Sequence, residues 1–362
     1  MDVFVLGMAV HPPADVVGGK RLEEMVFDTT RAALADAGVK RAEIDHVTIA
    51  ASDELDGRAI SSMLLAMPAG AYLRDETKCT DSGLTGLCLG AMRVASGVFD
   101  IGLVVSWNKT SEAPVENVMR MRAEPFYTRP IGLNMAITDG LFAGAVCERY
   151  GITPEAADAQ ARRAYAQALR NPRGIGRAAP TPVAMDASPY VATPLREIHR
   201  APFTDGAVAM VIASGDWLSK SGGRRAKARI AGLGWRSEPY DLGAERLAGL
   251  AGFRGAIDDA LRTGGGLTPG DLDVVELDAQ TAFHHLAYEA ALGGWGAAVS
   301  PGGGAFAQNP YFCTGLVNAT EAVRQVSNAA YGVQVAGARR ALAHGAHGYA
   351  QQGHVAVVFE GV

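Results

Sequence analysis

Residues 78–97 read KCTDSGLTGLCLGAMRVASG. Asp81 and Ser82 are good N-cap residues, and Leu84, Leu87, Cys88, Ala91, Val94 and Ala95 recur at three- and four-residue spacing, so an amphipathic helix is expected just after Cys79. The entrance of such a helix carries unpaired N–H groups and the positive end of the macrodipole, which favour an anion. A Cys79 thiolate is therefore expected to be stabilised there, with its pKa lowered. The competing reading is a small apolar residue packed into a core, as free cysteines commonly are. Cys88, on the apolar face of the same helix, takes that second reading.

Composition narrows what surrounds this helix. The 362 residues suffice for two or three domain-sized units, and 48% hydrophobic with 20% charged residues is an ordinary globular balance. The 44 glycines follow no period, which suggests many tight turns and close backbone approaches. A net charge of −5 argues against a nucleic-acid or anionic-membrane surface. The cluster Arg224, Arg225, Lys227 and Arg229 reads as a solvated linker flank rather than a phosphate site. MDVFVLGMAVHPP has no basic leader, and no run approaches the ~18 apolar residues of a membrane span. Cys79, Cys88, Cys147 and Cys313 lack metal-ligand spacing, so a reduced, cytoplasmic protein without structural zinc is expected.

Short apolar runs alternate with helical periods, the pattern of an α/β protein with buried strands. Strand candidates are residues 3–10, 46–52 and 101–107 in the first half, and 228–235, 273–279, 338–345 and 354–361 in the second. The order helix, glycine, polar stretch, Ile-Asp-x-Val, strand at 32–52 is echoed at 256–279 with Leu-Asp-x-Val. The echo begins shortly after the glycine- and base-rich joint at 221–229, which predicts two related halves, 1–221 and 222–362. An insertion over about 110–200 carries DGLFAGAVCERYG and a second helix with Thr153 at its N-cap, Pro154 at N1 and Asn171-Pro172 after its end. Such an excursion is expected to roof a pocket.

With these segments in order, the sequence resembles the thiolase superfamily, nearest the sterol-carrier-protein-type thiolases and acetyl-CoA acetyltransferase-like bacterial proteins. The nucleophile helix, ERYGITPEAADAQARRAYAQALRNP, TPLREIHRAPFTDGAVAMVIAS, VVELDAQTAFHHLAYEAALG and SPGGGAFAQNPYFCTGL stand where the family has its motifs. The last of these brings Gly303 and Gly304 to the family's glycine pair. The resemblance implies a duplicated five-layer α-β-α-β-α fold with an inserted helical loop region. It also implies a homodimer and chemistry on a coenzyme A thioester at Cys79, with no tightly bound cofactor. A small OB-fold, zinc-ribbon partner subunit is a further implication.

The remaining catalytic positions depart from the family pattern. Asn309 replaces the His that activates the nucleophile, Asp278 replaces a His or Asn of the oxyanion hole, and Gln280 stands for an acid/base Cys. Asn can donate to a carbonyl oxygen but cannot take a proton at neutral pH. An ionised Asp278 would repel an oxyanion, so it must be protonated, turned away or used as a base. The loop AHGAHGYAQQGH offers His344, His347 and Tyr349, with His347 standing where the family has glycine and able to serve as the missing base. His284, Tyr311 and Cys313 are pocket candidates, and Trp107, Phe126 and Tyr127 would suit a bulky acyl chain. The leading functional expectation is an acyltransferase that makes or breaks a C–C bond through a Cys79 acyl-enzyme. The alternatives are a retro-aldol lyase without a covalent intermediate, using Tyr349, Tyr311 or Asp278 as base, and a degenerate non-catalytic subunit of a complex.

Overall fold

The computed structural model describes residues 2–330 and 333–362. The chain begins β1 (Val3–Val10), α1 (Leu22–Ala37), β2 (His46–Ala50), α2 (Ser62–Leu65), β3 (Asp75–Cys79), α3 (Gly83–Ala95) and β4 (Ile101–Asn108). The insertion supplies α4 (Val115–Arg122), α5 (Met135–Tyr150), α6 (Pro154–Arg170), α7 (Pro182–Asp186) and a ribbon of β5 (Tyr190–Ala192) with β6 (Leu195–Arg196). β7 (Gly206–Ser214) and α8 (Gly215–Lys220) close the first half. The second half opens with β8 (Ala228–Ser237), α9 (Ala244–Gly249), α10 (Ala251–Thr263), β9 (Val274–Glu276) and α11 (Ala282–Ala291). It ends with β10 (Ala298–Val299), α12 (Thr314–Val326), β11 (Arg340–His347) and β12 (Gly353–Glu360).

Ten strands are linked in the order β10-β9-β11-β12-β8-β1-β7-β4-β2-β3. Outward from the β1/β8 junction the halves run β1, β7, β4, β2, β3 and β8, β12, β11, β9, β10. In each, the inner two pairings are antiparallel and the outer two parallel. The same path has been taken twice, and the strands of the two halves are joined where Val3–Val5 pair with Ala228–Ile230.

Alternation along the strands explains the layers, because successive side chains point to opposite faces. In β7, Ala207, Ala209, Val211 and Ala213 pack under α1, while Val208, Met210 and Ile212 join a core shared with α3 and α12. In β12, Ala356 and Val358 face α10, while Val355, Val357 and Phe359 join the same central core. The result is the five-layer α-β-α-β-α sandwich, with α3 and α12 in the middle. Two glycines let α3 lie close: a Cβ at Gly86 would sit 2.6 Å from the Ala50 Cβ, and one at Gly90 2.8 Å from a Val104 methyl carbon.

Some elements differ from the sequence reading. β3 was not anticipated, since Asp75–Cys79 is polar and mostly open to solvent, with no apolar run to mark it. β9 ends at Glu276, so Asp278 lies just beyond its strand rather than within it. The basic joint is not a free solvated flank: Arg224 pairs with Glu43 at 2.9 Å, Lys227 with Asp36 at 3.1 Å, and Arg229 with Glu360. Among the described residues no helix is long and apolar enough to cross a membrane.

Candidate active site

Cys79 is the last residue of β3, three residues before the N-cap of α3. Ser82 is that cap, its Oγ accepting from the Thr85 N–H at 3.3 Å. The thiol is only 5% exposed. Burial pushes its pKa up, the Asp81 and Ser82 backbone N–H groups pull it down, and the Asp81 carboxylate pushes it up again. The net shift is upward, which corrects the expectation of a helix-stabilised thiolate: desolvation outweighs the helix entrance. Cys88 is buried against the core, as its place on the apolar face suggests.

Cys79 sits in a buried apolar cluster drawn from both halves of the fold. Ala50 and Leu55 come from the β2 end, Val118 and Met119 from α4, Met135 from α5, and Phe312 and Tyr349 from the second half. The insertion thus forms the wall over the thiol, as a loop excursion across a sheet commonly does.

The facing corner of the second half is polar and closed upon itself. Gln280 Nε2 donates to Asp278 Oδ1 at 2.6 Å and to Asn309 Oδ1 at 3.1 Å. Asn309 Nδ2 donates back to Gln280 Oε1 at 2.9 Å and to the Ala201 carbonyl at 3.4 Å. Thr314 Oγ1 adds a second bond to Asn309 Oδ1 at 2.8 Å. The three positions that depart from the family pattern therefore form one network, and both hydrogens of the Asn309 amide are committed inside it. This corrects the expectation that Asn309 holds a thioester oxygen. Asp278 accepts a further bond from the Ala346 N–H at 3.1 Å, and burial lifts its carboxyl to about 6 against the pull of Gln280 and Ala346.

The other candidates separate into pocket and core. Tyr311 is half-buried at the pocket edge, edge-on to Phe203 with centroids 5.6 Å apart. Tyr349 is buried beside Cys79 and donates its hydroxyl hydrogen to the Met119 carbonyl, while burial pushes the phenol up to about 12. That commitment argues against Tyr349 as a base. His347 ends β11 with its ring against Gly353, where a Cβ would come within 2.1 Å of Nε2. Burial lowers its pKa, the Asp81 carboxylate raises it and Arg122 lowers it, so the imidazole is neutral near pH 7 and senses the neighbourhood of Cys79.

His344 is fully buried: Nδ1 accepts from the Asp278 N–H at 3.3 Å, and Nε2 faces His354 Nδ1 at 3.1 Å. Burial lowers it to about 3, so it supports Asp278 from behind rather than lining the pocket. His284 stacks on Phe142 with centroids 4.2 Å apart, and its Nδ1 lies 2.8 Å from Thr281 Oγ1. Cys313 is fully buried, its Sγ 3.3 Å from the Pro310 carbonyl, in the α3/α12 core instead of the pocket. Gly303 has φ 91°, and a Cβ there would meet the Ala168 backbone at 2.6 Å. It is required for close approach to α6, while Gly304, with φ 52°, turns the same loop beside Ser300. Trp107 is fully buried with Nε1 on Asp56 Oδ2 at 2.9 Å, and Phe126 and Tyr127 are exposed, so none of the three lines the thiol pocket.

Three features of the site were not legible in the sequence. Phe203 lies in TPLREIHRAPFTDGAVAMVIAS without being marked out there, and Arg122 approaches from a segment with no motif. Asp139 on α5 is buried, its carboxyl lifted to about 7 by burial, with Arg200 pulling down and Glu116 pushing up. A groove of about 600 Å³, lined in part by Thr110, Glu116 and Arg200, shares Val115 and Phe203 with the Cys79 pocket.

A cysteine at a strand end just before one of two central helices, in a fold whose halves repeat one strand path, is the arrangement of the thiolase class. Residues 15–175 match the family described as thiolase, N-terminal domain. The chain is 27% identical over 376 residues to an acetyl-CoA acetyltransferase of Methanothermobacter thermautotrophicus, covering 95% of each. It is 23% identical over 358 residues to sterol carrier protein 2 of Gallus gallus, covering 89% of this chain and 65% of that one. Residues 15–175 thus match a thiolase N-terminal domain, and nearly the whole chain is similar to proteins of the thiolase superfamily.

Proposed function

We propose that the protein is an acyl-CoA acyltransferase of thiolase type that works through a Cys79 acyl-enzyme. The observation that carries this reading is the position of Cys79, at the end of β3 beneath the insertion, with the Asp81 and Ser82 N–H groups favouring its thiolate. Because burial keeps the thiol protonated at neutral pH, a base must act as the sulfur attacks the thioester carbonyl. His347, neutral and sensitive to Asp81, is the residue to take that proton. The proton then passes to the departing CoA thiolate, and a carbanion or other nucleophile accepts the acyl group from Cys79. Asp278, with a carboxyl near 6, can relay protons on the opposite side.

The locked Asn309 amide favours a second reading, a C–C lyase acting on a hydroxyacyl-CoA without a covalent intermediate. There Asp278 removes the β-hydroxyl proton, the Cα–Cβ bond breaks to a carbonyl product, and the thioester enolate is reprotonated. For assembly, the outer edge of β3 is the open end of the sheet, with exposed Met63, Leu64, Met67 and Leu73 on the segment leading to it. These features support a homodimer, and the free state of the four cysteines is in keeping with a reducing, cytoplasmic setting.

The deciding experiment is intact-protein mass spectrometry of wild type and Cys79→Ser after incubation with a panel of acyl-CoAs, with and without a small OB-fold, zinc-ribbon subunit. An acyl adduct on the wild type only is expected. Turnover of a hydroxyacyl-CoA with no adduct would replace the covalent reading by the lyase, and no turnover with either preparation would favour a supporting, non-catalytic subunit.

A further inference from the structure

Residues 348–351, in the turn between β11 and β12, touch both facing corners. Tyr349 packs beside Cys79 and donates to the Met119 carbonyl, while Gln351 Nε2 donates to the Asp278 carbonyl at 3.1 Å. The backbone behind these contacts is left-handed at three of the four residues, with φ 81° at Gly348, 46° at Ala350 and 50° at Gln351. Two of the three carry side chains, for which that region is strained. Gln351 Oε1 is also buried without a hydrogen-bond partner among the described residues. A strained conformation persists only where its surroundings impose it. Arg246 of α9 is placed to impose this one. Its Nη2 donates to the Tyr349 carbonyl at 3.3 Å and the Ala350 carbonyl at 3.4 Å, its Nη1 to the Asp241 carbonyl at 3.3 Å, and its Nε to Glu238 Oε2 at 2.9 Å. Glu238 is anchored in turn by the Gly252 N–H at 2.6 Å and by two 2.9 Å bonds exchanged with Gln352. Both side chains of the ion pair are only 7% exposed.

We propose that Arg246 is a positioning residue for the Cys79 site: its guanidinium holds the strained turn so that Tyr349 closes over the thiol and His347 keeps its place at the end of β11. The inference rests on the acyl-enzyme reading above, in which His347 takes the Cys79 proton. A planar guanidinium suits the task, since its fixed fork reaches a carboxylate on one side and two successive carbonyls on another. An ammonium reaches only part of that set. Released, the turn relaxes toward ordinary φ, Tyr349 leaves the apolar cluster and water reaches the thiol. The two consequences for Cys79 run in opposite directions. Its pKa falls, because burial is what raises it and the nearby Asp81 charge is untouched, while its acylation slows, because the groups that serve the attack lose their geometry. A general loss of stability would not separate the two.

The test compares wild type, Arg246→Lys, and Arg246→Lys combined with Ala350→Gly. Iodoacetamide alkylation is followed against pH on the Cys79 peptide, and acyl-enzyme formation with the acyl-CoA panel by intact-protein mass spectrometry. Arg246→Lys keeps a cation for Glu238, so no buried charge is stranded. Its alkylation midpoint should fall by about one pH unit and its acylation by ~10-fold or more. Ala350→Gly relieves the left-handed strain and should return both toward wild type. A wild-type midpoint in Arg246→Lys, or a shift that Ala350→Gly leaves in place, overturns the positioning role. Should Arg246→Lys be misfolded by circular dichroism, Arg246→Met with Glu238→Gln removes both charges and is read in the same way. If the wild type takes no acyl group, the acyl-enzyme reading fails, and the alkylation midpoint still decides the role of Arg246.

Discussion

The two strand-to-helix corners that face each other at the centre descend from the same path through the fold, yet they have been filled in opposite ways. In the first half, β3 delivers Cys79 into an apolar pocket with no side-chain hydrogen-bond partner. In the second, the approach to α12 delivers Asn309 into a network with Gln280, Asp278 and Thr314 in which the amide's donors and acceptor are all used. Among the described residues one corner leaves its side chain without a side-chain hydrogen bond, and the other fixes it. The contrast teaches that Asn309 does not stand alone: Gln280 and Thr314 match its amide, as a buried polar group requires.

The strongest way to break this contrast is Cys79→Ala. Acyl transfer should fall by roughly 10³-fold or more, while the fold loses only about 1 kcal/mol, because a small buried group is removed. Product release by the variant at the wild-type rate would make both corners structural. Urea unfolding run beside the assay separates lost chemistry from lost structure.

Asp139 is buried on α5, and its titration should show in stability. A carboxyl lifted to about 7 in the folded state binds a proton that the unfolded chain, titrating near ~4, has already lost. Its contribution is thus fully present below about pH 4 and is lost as pH rises through about 7. Asp139→Asn removes that loss, so the variant should match wild type near pH 4 and exceed it by about 2–4 kcal/mol at pH 8. An equal difference at both pH values would mean that the carboxyl does not sit where α5 places it.

Gln280→Leu attacks the fixed corner directly. It strands Asp278 Oδ1 and leaves the Asn309 amide with only Ala201 and Thr314, at a cost of about 2 kcal/mol in urea unfolding. The rate of Cys79 alkylation by iodoacetamide should stay within about twofold, since no bond of the network reaches the thiol. A large change in alkylation would show that the corners communicate.

The contrast itself could not be read from the sequence, whereas the frame around it could. The period of α3, the Thr153 cap and Pro154 of α6, and the apolar strands β1, β4, β8 and β12 announce themselves, because each is a local pattern that burial then uses. β3 did not, since an edge strand reading DETKC needs no apolar face. The place of Cys79 before a helix could be read from its neighbours, but the direction of buried side chains could not. His344 and Cys313 occupy plausible positions in the chain, but their side chains turn into the core. Asp139 had no signal at all: one carboxyl inside an apolar helix is unremarkable until the helix is seen to cross above the pocket. The Cys79 pKa went the other way because a helix entrance can be read from a sequence and desolvation cannot.

The smallest effects test which force sets that thiol. Thr314→Val keeps shape and removes one of the bonds to Asn309 Oδ1, which still accepts from Gln280 at 3.1 Å, so about 0.5–1 kcal/mol should be lost. Ser82→Ala removes the α3 cap for about 1 kcal/mol but leaves the Ser82 N–H facing Cys79. If burial dominates the thiol, the midpoint of its alkylation against pH should be the same in both variants as in wild type, above the ordinary cysteine value. A shift in Ser82→Ala alone would return control to the helix entrance. In that case the reactive corner would depend on the order of its first turn, as the fixed corner depends on its amides.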